Sequence, residues 1–245
     1  MAFPPAISEA LQLFKRAAAE IEGAYRARAP HASEQISPQQ LREALAQFFA
    51  IIANLDKEEG ATGPILSDDV NQLGDYGLNL LTDLAAWAAQ LGLDQARKDV
   101  LAASLAAADW LMRHEGRIRS LEPVVNALAD TANRISDPQE LTRMAAFMGA
   151  VAQACSEYLK QDLEKTNPGR PWRLLHLNRG IVATRSHDPA LMQQVFDELV
   201  RCLPDDAPAF FEQGMEQMVA LNYPTPVREV MSRYHTRWKA RPTLH

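Results

Sequence analysis

The sequence predicts an all-α protein, and three observations carry that prediction. The apolar residues of this 245-residue chain are mostly Ala and Leu rather than Val and Ile, which favours helix over strand. Apolar positions recur at three- and four-residue steps over long stretches, the period of one face of a helix. No Asn-Gly or Asp-Gly pair marks a tight hairpin, and no β-rich stretch alternates apolar with polar residues.

The elements follow in order. Ile7, Leu11, Phe14, Ala18, Ile21 and Tyr25 form the first apolar face, which Arg28-Ala-Pro-His-Ala-Ser33 ends. Ser37-Pro38 opens a second helix, with Ser as N-cap and Pro at the first helical position; Leu41, Leu45, Phe48, Phe49, Ile52 and Leu55 face inward. Residues 56–66 read as a loop. Ser67-Asp68-Asp69 caps a third helix, with Val70, Leu73, Leu80, Leu84 and Trp87 along its stripe, and Gly92 closes it. The fourth, after Asp94, is apolar nearly all round from Val100 to Met112, the mark of a central helix. Ser120 is expected to cap a fifth, and Asp137-Pro138 a long sixth that reaches Tyr158 and Leu159. Thr166-Asn-Pro-Gly-Arg-Pro171 is a strong breaker. Beyond it, helices are expected at roughly 171–186, 188–203, 206–221 and 225–240.

Charge shifts at the same breaker. Residues 160–245 carry 12 Lys and Arg against 10 Asp and Glu, a balance of +2, while the rest carries 13 against 21, a balance of −8. The chain therefore reads as a helical bundle at 1–165 followed by helical hairpins at 170–241. A net charge of −6 argues against nucleic-acid binding, which rests on a strong basic surface. The longest apolar runs, such as Ala85-Ala-Trp-Ala-Ala89, fall far short of the roughly 18 residues a membrane helix needs. The N-terminus lacks the pattern of a signal peptide. Cys155 and Cys202 make no disulfide framework, and a cytoplasmic location is the simplest expectation.

The C-terminal helices carry a spaced pattern. Glycines in His176-x-x-Arg179-Gly180 and Phe210-x-x-Gln213-Gly214 lie 34 residues apart; Phe196 follows Gly180 by 16 residues, and Pro204 follows Phe196 by 8. This spacing resembles the tetratricopeptide repeat, over residues 173 to about 240. The resemblance implies hairpins stacked into a groove that receives a partner protein. The chain departs from that family's pattern where Arg179 and Gln213 replace the leucine before each glycine, and at Pro226.

Chemistry-bearing patterns are few. The histidines are scattered without metal-ligand spacing, adjacent His114 and Glu115 diverge on a helix, and no nucleophile elbow, Cys-x-x-Cys or P-loop occurs. No metal, cofactor or catalytic residue is assigned. Cys155 lies on an apolar stripe as a small core residue. Asp109, on the most apolar helix, needs a partner, and Arg113 is four residues on. Asp75, Asn79, Thr82 and Asp83 share one face of the third helix, as a solvated side or a polar groove.

Arginine is the strongest signal. Arg170, Arg173, Arg179 and Arg185 precede the next acid, Asp188, and Arg228, Arg233, Arg237, Lys239 and Arg241 follow with Glu229 alone. Guanidinium groups bind carboxylate or phosphate bidentately. Arg170, Arg173, His176, Arg179, Arg185, Arg233 and Arg237 are thus the candidate site for an acidic peptide or other anionic partner. The competing reading is that these arginines dock against acids of the same chain. The leading expectation is a non-enzymatic interaction or scaffold protein. The alternative is a ligand-binding bundle or enzyme with a pocket near Asp75, Trp87, Asp109 and Met144. Self-association through an exposed apolar cap at Phe210 and Phe211, a homodimer in the simplest case, is a third.

Overall fold

The computed structural model describes residues 3–28, 36–58 and 67–239. Among them are eleven helices and no strand: α1 (Ile7–Ala27), α2 (Pro38–Glu58), α3 (Ser67–Gln90), α4 (Asp94–Arg113), α5 (Glu122–Ala132), α6 (Pro138–Ala154), α7 (Glu157–Lys160), α8 (Pro171–Arg185), α9 (Pro189–Cys202), α10 (Ala207–Ala220) and α11 (Thr225–Lys239). None is long and apolar enough to cross a membrane. Most of the expected 56–66 loop, the 28–33 break after Arg28, His31, Arg241 and His245 fall outside the described residues.

Local chemistry places the starts. Ser37 and Gln40 form a capping box: the Ser37 hydroxyl accepts from the Gln40 N–H at 3.4 Å, and Gln40 Oε1 accepts from the Ser37 N–H at 3.0 Å. Asp137 accepts from the Glu140 N–H at 2.8 Å to open α6. Asp188 accepts from Ala190 and Leu191 at 2.9 and 3.1 Å to open α9. Several helices stop at a non-glycine residue in the left-handed region, Glu115, His187 and Asn222 among them, a conformation that turns the chain out of helix.

Two compact units result. One comprises residues 1–133 and 153–163. In it α4 packs on α1, α3 and α5, and Trp110, Leu111 and its many alanines are buried. Small side chains let the neighbouring helices come close, which explains why an Ala-rich helix sits centrally.

A clasp missing from the sequence reading holds this unit's 117–120 segment. Asn71, Asp75 and Asn79, one stripe of α3, receive the Arg117 N–H at 2.6 Å, the Arg119 guanidinium at 3.3 Å and the Ser120 hydroxyl at 2.6 Å. On the segment's other edge Ile118 donates to the Ala154 carbonyl and accepts from the Ser156 N–H, both at 2.9 Å. Two expectations are corrected here. Ser120 does not cap α5: the helix starts at Glu122 with Leu121 at the capping position, and the Ser120 hydroxyl donates instead to Asn79. The sixth helix stops at Ala154, because Cys155 forms the bridge to Ile118; Tyr158 is exposed on the short α7.

The other unit comprises residues 134–152 and 164–245. α8 packs with α9, α10 with α11, and α9 with α11. Phe196 sits among three aromatic rings, edge-on to Phe210, Phe211 and Tyr234 at 5.7, 5.1 and 5.2 Å, and each such pair contributes about 0.5–1.5 kcal/mol beyond its buried area. The expected exposed cap at Phe210 and Phe211 is corrected accordingly: Phe211 is fully buried and Phe210 half-buried against this cluster.

Candidate functional site

The seven candidate residues divide by what they touch. Arg170 and Arg173, at the start of α8, both reach Asp206 just before α10, at 3.5 and 2.7 Å. They also donate to the carbonyls of Lys165, Asn167 and Pro168 at 3.3, 3.2 and 2.9 Å. The breaker segment, rich in proline and glycine, thus has its carbonyls gathered by two guanidiniums. His176 is buried and meets the Trp172 ring edge-on at 4.4 Å.

Arg179 is more deeply committed. It is 4% exposed, with Nη1 on Glu198 at 2.6 Å and Nε on the Ala145 carbonyl at 3.0 Å. Gly149 of α6 makes room for it, since a Cβ there would lie 2.5 Å from Arg179 Nη2. A buried guanidinium stays charged and is tolerated only where it is paired and hydrogen-bonded, and both conditions are met inside the unit. Arg185 donates to the Ile135 carbonyl at 2.5 Å. Arg173 and Arg179 are thus paired with acids of their own unit, Asp206 and Glu198.

Arg233 and Arg237 lie elsewhere, on the exposed side of α11. With Arg228, Ser232 and Thr236 they border a shallow depression of about 740 Å³.

The alternative pocket residues also have local partners. Arg113 bridges Asp109 at 2.9 Å and Asp56 at 3.0 Å, and His114 Nε2 meets Asp56 Oδ1 at 3.0 Å. Burial raises the Asp56 carboxyl, but the hydrogen bonds and charges of Arg113 and His114 outweigh it and hold the group below its ordinary value. Asp75 shows the opposite balance: burial outweighs Arg119 and lifts it. Trp87 meets Tyr25 edge-on and donates to the Ile36 carbonyl at 2.9 Å. Met144 is buried in the other unit. Cys155 is fully enclosed, and burial pushes its thiol up to about 12, which removes the thiolate a nucleophile needs.

Within the second unit lies a half-open cleft of about 610 Å³, lined by α8 and α10 with Tyr223 and Met231. Phe210, on its lining, packs against Gly180: a Cβ there would stand 2.6 Å from Phe210 Cζ, so only a glycine lets that ring lie across α8. Ile181 and Leu221 sit on the cleft wall 47% and 63% exposed. Exposed Gln213 and Gln217 supply hydrogen-bonding groups, while the Thr184 hydroxyl is spent on the Gly180 carbonyl at 2.8 Å. Of this lining, the sequence pointed to Arg185 as a candidate and to Phe210, Gln213 and Gly214 in the spaced pattern, but not to Ile181, Gln217 or Leu221. The available signal was in α8, whose Leu174, Leu175, Leu177, Ile181 and Val182 spread over more of the circumference than one buried stripe needs. No family description, no curated protein and no solved structure matches the chain.

Proposed function

We propose that this protein is a non-enzymatic interaction protein, whose C-terminal helical hairpins receive an amphipathic segment of a partner protein in the cleft between α8 and α10. The observation that carries the reading is exposed apolar surface in a concave place: Ile181 and Leu221 stand open beside half-buried Phe210. Covering each of the two exposed aliphatic side chains contributes on the order of 1–2 kcal/mol, taking the full-burial value in proportion to exposure. Exposed Gln213 and Gln217 offer the hydrogen bonds that fix register. The tetratricopeptide-like spacing supports the same reading, because Gly180 and Gly214 both stand where a neighbouring helix approaches closely. A cytoplasmic setting goes with it, since both cysteines are free thiols.

The test is a comparison of captured partners between the wild type and Ile181→Asp/Leu221→Asp, with folding checked by circular dichroism. The cleft reading expects the partner set to be lost from a folded variant. Retention of the same partners would remove the cleft from consideration.

A further inference from the structure

We propose that the outer face of α11 is a second docking surface, taking an acidic, carboxylate-bearing segment of a partner protein. The surface is independent of the cleft between α8 and α10. Arg228, Arg233 and Arg237 are all exposed, and among the described residues none of them forms an ion pair. Arg228 donates only to the Thr225 hydroxyl at 3.3 Å, and Arg233 only to Gln193 Oε1 at 3.5 Å. Arg170, Arg173 and Arg179, which looked equivalent in sequence, all have carboxylate partners. Among the described residues α11 thus carries three exposed arginines without an ion pair, with Lys239 at its end, whereas Arg134 and Arg201 stand singly elsewhere in the unit.

Placement selects the partner. Two adjacent stripes of α11, Arg228–Ser232–Thr236 and Glu229–Arg233–Arg237, border one shallow depression. Arg228 and Arg237 are separated by about 13 Å along the axis, at 1.5 Å per residue. Nine residues also turn the helix by about 180°, so Arg228 and Arg237 flank the depression from opposite sides with Arg233 beside Arg237. Charges so spread match carboxylates distributed on a segment, whereas a single phosphate engages only the one or two guanidiniums that reach it. Ser232 and Thr236 between the arginines can donate to the same carboxylates.

Two other macromolecules fit less well. Tight duplex binding draws on about 6–10 phosphate contacts, and this face offers three arginines with Glu229 among them. A membrane-bound helix inserts its apolar side, but in α11 that side (Val227, Val230, Met231, Tyr234 and Trp238) is buried in the unit's core.

The test uses the full chain and a fluorescein-labelled, glutamate-rich helical peptide, read by fluorescence anisotropy at low and high salt. Arg233→Glu/Arg237→Glu is compared with Arg134→Glu/Arg201→Glu, which changes the net charge equally at exposed positions off this face; circular dichroism verifies both folds. The expected result is binding that weakens with salt, falls by about tenfold or more in the α11 variant, and holds in the control. A lysine-rich peptide should bind the α11 variant better than the wild type. Equal loss in both variants, or no loss in either, overturns the proposal. So does tighter, Arg233- and Arg237-dependent binding of duplex DNA or anionic vesicles. Ile181→Asp/Leu221→Asp should leave this binding unchanged, which separates the two surfaces.

Discussion

Replacing Gly180 with alanine sets two opposed effects against each other. An alanine inside a helix is favoured over glycine by about 0.5–1 kcal/mol. Against it, the new methyl would lie 2.6 Å from Phe210 Cζ, 3.1 Å from Cε2 and 3.2 Å from Leu199 Cδ1. Phe210 cannot yield freely, because its ring meets Phe196 and Phe211 edge-on at 5.7 and 5.3 Å. Inserting a methyl into such packing costs about 1–3 kcal/mol, so the clash outweighs the propensity gain and Gly180→Ala destabilises by about 1–2 kcal/mol. Gly214→Ala presents the same chemistry with a softer neighbour. Its nearest atoms are Met231 Sδ and Cε at 2.6 and 2.7 Å, and a methionine re-forms its rotamer at small cost; the net change is about zero. Gly23→Ala meets nothing within 4 Å and should stabilise by about 0.5–1 kcal/mol. Urea unfolding followed by circular dichroism gives the three midpoints at unchanged slope. The order Gly23→Ala, Gly214→Ala, Gly180→Ala from most to least stable is expected. A Gly180→Ala protein as stable as Gly23→Ala would refute the close approach of Phe210 to α8.

Other consequences are as concrete. Glu198→Leu leaves the Arg179 guanidinium buried without its carboxylate and should destabilise by about 3–5 kcal/mol, whereas Glu198→Leu/Arg179→Met should recover most of that loss; thermal unfolding of the two variants decides it. Glu115, at φ 58, adopts a conformation that strains an L side chain, so Glu115→Gly should stabilise by about 1 kcal/mol in the same assay. The acid limb of stability carries two opposite signatures. Asp56 has a folded value below its unfolded one, so its stabilisation is present above the unfolded value near 3.8 and is lost as pH falls through the lower folded value. Asp56→Asn should flatten that limb. Asp75 has a raised folded value, so its penalty develops as pH rises from 3.8 through the folded value and persists at neutrality. Asp75→Asn should therefore gain relative stability toward neutral pH, and a loss growing in that direction would contradict the burial argument.

Sequence and structure agree where the determinants are local. Ser37-Pro38, Asp137-Pro138 and Asp188-Pro189 each carry their capping group and their helix-starting proline within a few residues, and the four C-terminal helices lie within a residue or two of expectation. The readings that changed depend on partners distant in the chain. Ser120 looks like a cap until Asn79 is placed beside it. The apolar stripe through Cys155 continues as helix on paper, but the Ile118 bridge takes that backbone. Asp75 and Asn79 read as part of a solvated side or polar groove because their partners, the Arg119 guanidinium and the Ser120 hydroxyl, lie some 40 residues later. The arginines show the same limit. Composition located them, but only packing distinguishes Arg179, with Glu198 and the space left by Gly149, from Arg237, which is exposed and forms no ion pair among the described residues. The cleft was hidden for a related reason: Ile181 and Leu221 look like core residues, and their exposure follows from where Gly180 lets Phe210 lie.

The claim that the α8–α10 cleft is the recognition surface is tested most directly by site-specific photo-crosslinking from exposed Gln217 on its wall, with exposed Glu20 of α1 as the control position. A discrete crosslinked protein is expected from position 217, absent from position 20 and abolished by Ile181→Asp. Crosslinking from position 217 no different from that at position 20, or unaffected by Ile181→Asp, would contradict it.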